Sequence, residues 1–274
     1  MATQNDKFHL NAPPIVELAL AIQIKPPLPT PALGRVWQVL RGDLPRLEEQ
    51  HALPPLESLI SRQGPQSIAL EVVTRPPAPR LWMMDESGTH LFQVQSDRLA
   101  RNWRRLEGGT EYPRFETVRD RFRGEVEQVV EALEKDFGIR PQPTHAELLY
   151  VDHVLPSPTG VFRTVADIGT VLRPAQSPWF GATKHQPEAM GCFMRYPLDL
   201  AGPGTGSLTF EAIPARRGAD GLAVLQLQNV ARTKLPNNTW SSCWESIESM
   251  HELIRTLFFE LTTPAIQAEW GKRQ

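Results

Sequence analysis

Four guanidiniums crowd one indole in the stretch Arg98, Arg101, Trp103, Arg104 and Arg105. Arginine forks grip phosphate oxygens and an exposed indole stacks on a base, so this cluster could contact nucleic acid. Arg114, Arg119, Arg121 and Arg123 follow closely, but Asp97, Glu107, Glu111, Glu116 and Asp120 are interleaved with them. Ion pairing along a solvated face is therefore a sufficient alternative account. A second group of chemistry-bearing residues is His145, Glu147, Asp152 and His153. Adjacent strand residues point to opposite faces, so Asp152 and His153 cannot share one site. His145, Glu147 and His153 share a face, yet at about 3.3 Å per step the two histidines lie about 26 Å apart, too far for one metal ion. Glu17 interrupts an apolar run as either an outward carboxylate or an ion-pair anchor. His251 falls on the apolar stripe of a helical segment, the usual place for a hydrogen-bonded core histidine. Gly202 to Ser207 resembles a phosphate loop only superficially, because it lacks the Lys-Ser/Thr ending and lies between two strand-like runs. These residues suggest no cofactor and no metal.

The elements that must position them follow from periodicity and breakers. Pro13-Pro14 and Pro26-Pro27 enclose a mostly apolar strand that begins at Ile15. Leu33, Val36, Trp37, Leu40, Leu44 and Leu47 mark a helical face between Ala32 and Glu49, kinked or ended by Pro45. Short strands are expected over 67–73, 80–85 and 90–95, while 97–106 reads as either a strand or the approach to a helix. A long amphipathic helix spans 114–137, with Gly138 as its stop. A strand follows over 145–155, then a short helix within 159–172 and an irregular segment over 173–187. Strands over 190–198, 207–213 and 222–230 precede a last helix over 241–262, capped by Ser241 or Ser242 and ended by Pro264. The order describes an α+β chain of two similar β-α-β-β-β-α halves, with antiparallel sheets carrying helices on one face. Residues 1–10 form a disordered tail, 11–138 the N-terminal half and 139–274 the C-terminal half, packed against the first.

Composition bounds the function. The chain has 274 residues, a formal net charge of −2 and 41% hydrophobic content. Near-zero charge gives no bulk attraction to nucleic acid or anionic membrane. No apolar run is long enough to span a bilayer, and the polar first residues carry no secretory core. The two cysteines, Cys192 and Cys243, do not make a zinc site by themselves. A cytoplasmic protein is the expectation.

Several short motifs recur in order: Pro14-Ile15-Val16-Glu17, then Asn102-Trp103 and Tyr112-Pro113, then Tyr150 and Asp152, and last His251, Phe258 and Leu261-Thr262-Thr263-Pro264. In these the chain resembles a sporadically distributed, uncharacterised bacterial family of about this length that opens with Pro-Ile-Val-Glu. The family pattern often has Asn two residues after the central Tyr, so Asp152 is a departure. The resemblance implies no activity and gives Glu17, Asn102, Tyr112, Asp152 and His251 no assigned role. It does imply a mobile or defence-associated locus. The expected function is a non-enzymatic binding or adaptor protein for a protein partner, with Trp179 and Phe180 in the Pro-rich variable segment as interface anchors. The alternatives are a nucleic-acid-binding component of a defence complex and an enzyme of unfamiliar type built on Glu17, Asp152 or His251. A homo-oligomer fits any of the three.

Overall fold

The structure is a computed structural model describing residues 9–60, 79–106, 111–157, 159–176, 190–218 and 220–272. Among these residues the frame is one antiparallel sheet of nine strands. In chain order they are β1 (Ile15–Lys25), β2 (Arg46–Gln50), β3 (Arg80–Met84), β4 (His90–Gln95), β5 (Arg98–Arg104), β6 (Gln142–Val154), β7 (Cys192–Pro197), β8 (Gly206–Arg216) and β9 (Ala223–Lys234). Across the sheet the order is β2-β3-β4-β5-β1-β6-β9-β8-β7. The long strands β1 and β6 pair at its centre, from Ile15 opposite Asp152 to Lys25 opposite Gln142. Both are rich in Leu, Ile, Val and Ala, the residues a central strand needs to bury its surface.

Three helices cover one face: α1 (Thr30–Leu40), α3 (Phe115–Phe137) and α5 (Trp240–Leu261). The apolar stripe of α3 buries Phe115, Val118, Phe122, Val126, Val129 and Leu133. Gly138 ends that helix in the left-handed conformation at φ 64°, where its N–H donates to Glu134 O at 3.0 Å and that of Ile139 to Leu133 O at 3.2 Å. Phe122 joins the layers, meeting Phe92 of β4 and Trp244 of α5 edge-on, each at 5.8 Å. The short α2 (Leu56–Ile60) crosses the other face at one end, where Leu56 N–H donates to Gln23 Oε1 at 2.7 Å. Two more short helices, α4 (Ile168–Val171) and α6 (Pro264–Glu269), close the periphery. Among the described residues no helix is long and apolar enough to cross a membrane.

Several expectations need correction. The α1 helix stops at Leu40, and the rest of its expected span turns and becomes β2. Pro45 cannot donate within a helix, and the next five residues pair instead with β3. Of the two readings open for 97–106, the strand is the one that forms, over Arg98–Arg104. The antiparallel strands join, as the simplest assembly of the chain requires, into one extended sheet continuous through β1 and β6. Thr239, rather than Ser241 or Ser242, caps α5 by accepting from Ser242 N–H at 3.2 Å. Pro264 does more than end α5, since it is the first residue of α6, the position where its missing N–H costs nothing. Leu10, placed within the expected tail, is buried and bridges to Lys272. The strand expected over 67–73, with Trp179 and Phe180, lies outside the described residues.

Beneath α3 lies a buried ion pair. Arg101 of β5 donates through Nη1 to both carboxylate oxygens of Glu125, one of them at 2.6 Å. The Arg101 side chain is 0% exposed and that of Glu125 8%. Burial lowers the guanidinium's pKa and raises the carboxyl's even though the two groups face each other. Replacing one partner strands a charge in the core. Arg101→Ala is expected to cost about 3–5 kcal/mol in urea denaturation, and Arg101→Met with Glu125→Leu to recover most of it.

Candidate functional site

Alternation along the central strands sorts the sequence motifs onto two faces. In β6, Leu148, Tyr150, Asp152 and Val154 are buried toward the helices, while Glu147, Leu149, Val151 and His153 are half-buried on the other side. Asp152 and His153 therefore face apart, as strand geometry requires.

On the helix side these residues border a cavity of about 430 Å³ between β6, β9, the start of α3, the middle of α5 and the segment from His9 to Ile15. Motif residues from four separate parts of the chain meet there: Pro14, Tyr112, Tyr150 with Asp152, and His251 with Phe258. Tyr150 Oη lies 2.8 Å from His251 Nδ1, and the Tyr112 hydroxyl lies near that of Tyr150. The imidazole stacks flat on Phe115, with ring centroids 3.9 Å apart and planes 7° from parallel. Burial, with Arg255 and Arg119 nearby, pulls the His251 pKa down to about 3, so the ring is neutral. Burial also pushes both tyrosine hydroxyls above their usual range. The chain Tyr112–Tyr150–His251 is thus an uncharged relay. At the rim, Arg114 precedes α3 with φ 74°, the left-handed region that side chains other than glycine rarely occupy. Its Nη2 donates to Leu10 O at 3.3 Å, tying the N-terminal wall to the helix start.

Two polar side chains at this cavity lack partners. Asp152 is 2% exposed and makes no hydrogen bond among the described residues; burial pushes its carboxyl up to about 7, against a weaker pull from Arg105. Asn229 of β9 is 0% exposed, and neither Oδ1 nor Nδ2 has a partner. Sequence reasoning missed Asn229. Its signal was the buried phase of β9, where Leu225, Leu227, Asn229 and Ala231 alternate with Gln226 and Gln228.

The opposite face holds the other motif residues. Asn102 Nδ2 donates to Glu17 Oε1 at 2.7 Å, and Gln93 Nε2 donates to Asn102 Oδ1 at 2.6 Å. Gln93 Oε1 in turn accepts from Trp82 Nε1 and Arg80 Nη1, both at 2.9 Å. This ladder crosses four strands along an open groove of about 1860 Å³. Glu17 is therefore anchored by an amide and stands apart from Asp152 and His251.

The arginine cluster does not assemble around its indole. Arg101 and Trp103 point under the helices and are fully buried, so neither can reach a nucleic acid. Arg98 is buried below the segment before α2, donating to Pro54 O. Arg104 donates to Gly88 O at 3.0 Å, and Arg105 lies 6.0 Å from the Trp103 ring centroid, donating to Pro13 O at 3.4 Å. Strand alternation splits what the sequence places side by side. Farther along, Arg119 pairs with Glu248, Arg121 with Asp43 and Glu125, and Arg123 with Glu127. Among the described residues no three His, Cys, Asp or Glu side chains group to hold a metal.

Asp152 and His251 bias stability in opposite directions. The folded carboxyl holds its proton up to about pH 7 while the unfolded one releases it near 4, so stability falls as pH rises between them. For His251, depressed to about 3, stability falls as pH drops below the unfolded value near 6.5. Asp152→Asn removes the first effect. Its unfolding free energy relative to the parent should climb between about pH 4 and 7, by on the order of 4 kcal/mol. Urea titrations across that range measure it.

Compared with known proteins, the chain matches no family model and no curated protein sequence.

Proposed function

We propose that this chain is a binding protein rather than a catalyst, and that the cavity beside Asp152 and Asn229 holds a small organic molecule. The observation that carries this reading is Asn229, fully buried with both amide atoms unpartnered against the cavity. About nine in ten buried polar groups have a partner, and one without it costs about 1–3 kcal/mol. A ligand that bonds the amide removes that cost. The volume suits a metabolite-sized molecule, and rings with a few convergent polar groups are the usual lining of such sites.

The adaptor role fits the same architecture: a protein partner would meet the open groove, where Trp82, Arg80 and Arg104 stand near Glu17 and Glu147. The two-repeat reading is part of this proposal. Outward from the central pair the order is β5-β4-β3-β2 on one side and β9-β8-β7 on the other, so the first side carries one extra strand, and a long helix follows β5 and β9.

A catalytic reading has one observation in its favour. Asp152 titrates near neutrality and shares its cavity with His251, so it could take a proton from a bound substrate. The neutral, hydrogen-bonded His251 and the un-ionised tyrosines would then position rather than transfer.

Asn229→Leu separates a ligand site from a structural one. The variant should be as stable as the parent or gain about 1–3 kcal/mol in urea denaturation, because an unpaired amide leaves an apolar setting. Native mass spectrometry of protein purified from its own cells should show a small bound mass in the parent and none in the folded variant. Marked destabilisation with no bound mass in the parent would make Asn229 a packing residue and remove the site.

A further inference from the structure

We infer that the cavity's ligand is a protonated amine on an aromatic or aliphatic body, with its ammonium received between Asp152 and Asn229. This rests on the cavity being a ligand site, as proposed above.

The floor of the cavity fixes the head group. Asp152 lies opposite Leu227 in the β6–β9 ladder, and Asn229 opposite Tyr150. The two are diagonal neighbours on the same face of adjacent antiparallel strands. Such positions are roughly 7–8 Å apart, room for one group bonded to both side chains. An ammonium brings three donors, and the two oxygens of Asp152 with Oδ1 of Asn229 are three acceptors. Among the described residues neither side chain has a hydrogen-bond partner to give up, and Arg105 exerts only a weaker pull on Asp152.

The walls fix the body. Phe115, Tyr150, Phe258, Phe259 and Ile254 line the cavity, and ring faces attract an organic cation while excluding its water. A calcium or magnesium ion would need about six oxygen ligands, which these rings do not supply. A carboxylate ligand would lie against the buried acid. The two guanidiniums that border the cavity are engaged elsewhere: Arg114 donates to Leu10 O, and Arg255 is paired with Glu252. Burial, against the weaker pull of Arg105, puts the Asp152 carboxyl at about 7, so slightly above neutrality it is ionised and serves as counter-ion.

Three probes that share a ring system and differ in head group test this: tryptamine, tryptophol and indole-3-acetate. Each is titrated calorimetrically into the whole chain at about pH 8, where the carboxylate is formed. Tryptamine is expected to bind, with tryptophol at least about tenfold weaker and indole-3-acetate weaker still. Asp152→Asn should weaken tryptamine at least about tenfold and leave tryptophol nearly unchanged, and Asn229→Ala should weaken both amine and alcohol. Circular dichroism checks that each variant is folded. Indole-3-acetate binding as tightly as tryptamine, or tryptamine indifferent to Asp152→Asn, overturns the amine assignment while leaving the cavity a ligand site. None of the three binding overturns the assignment and counts against the site itself.

Discussion

The pairing of β1 with β6 is the constraint on which the rest of the molecule depends. These strands join the two halves of one sheet, and their register sets which side chains face the helices. A strand has a period of two, so a slip by one residue would turn Leu18, Leu20 and Ile22 outward and bring Glu17 and Gln23 into the core. A slip of β6 by one residue would instead carry Asp152 out of the cavity and His153 into it. Two bulges, between Ile15 and Glu17 and between Gln23 and Ile24, mark where the regular register ends. The long helices α1, α3 and α5 add a second restriction by covering one face, and the other carries its own hydrogen-bonded ladder.

The helix side treats buried polarity in two ways. Arg101 and Glu125 neutralise each other under α3, and the pair has a packing role. Asp152 and Asn229 sit at similar depth in the neighbouring half of the sheet and are not neutralised by the fold. An apolar pair would pack there at lower cost, so the retained polarity points to something outside the chain. The neutral relay of Tyr112, Tyr150 and His251 fits this view, because it lines the cavity without adding a charge that would compete for Asp152.

Much of the frame was legible in the sequence where one physical signal dominated. The stripes of α3 and α5 and the Pro-bounded β1 were readable because periodicity and breakers agreed. Where signals competed, the reading failed. Residues 46–50 carry the apparent helical spacing of Leu44 and Leu47, but Pro45 and an available β3 edge decide for strand. The arginine cluster looked coherent because its members are adjacent in sequence; alternation in β5 sends them to opposite faces. Tyr112, Asp152 and His251 stood out individually as motif residues. Their convergence was illegible, since no local pattern encodes that a loop, a strand and a helix so far apart in sequence will border one cavity. Asn229 was nearer to legible, as the single amide in the buried phase of an otherwise apolar run.

The Arg101–Glu125 pair has a consequence for distant geometry. Sliding α3 by one turn, about 5.4 Å, would leave both charges buried and unmatched, so the pair works as an index mark for the helix along its axis. Phe115 is ten residues before Glu125, or about 15 Å along a rigid helix at 1.5 Å per residue. A helix that cannot slide at one end cannot slide at the other. The ion pair under the sheet thereby gauges where the Phe115 ring meets His251, and the width of the cavity is calibrated by two side chains that never touch it.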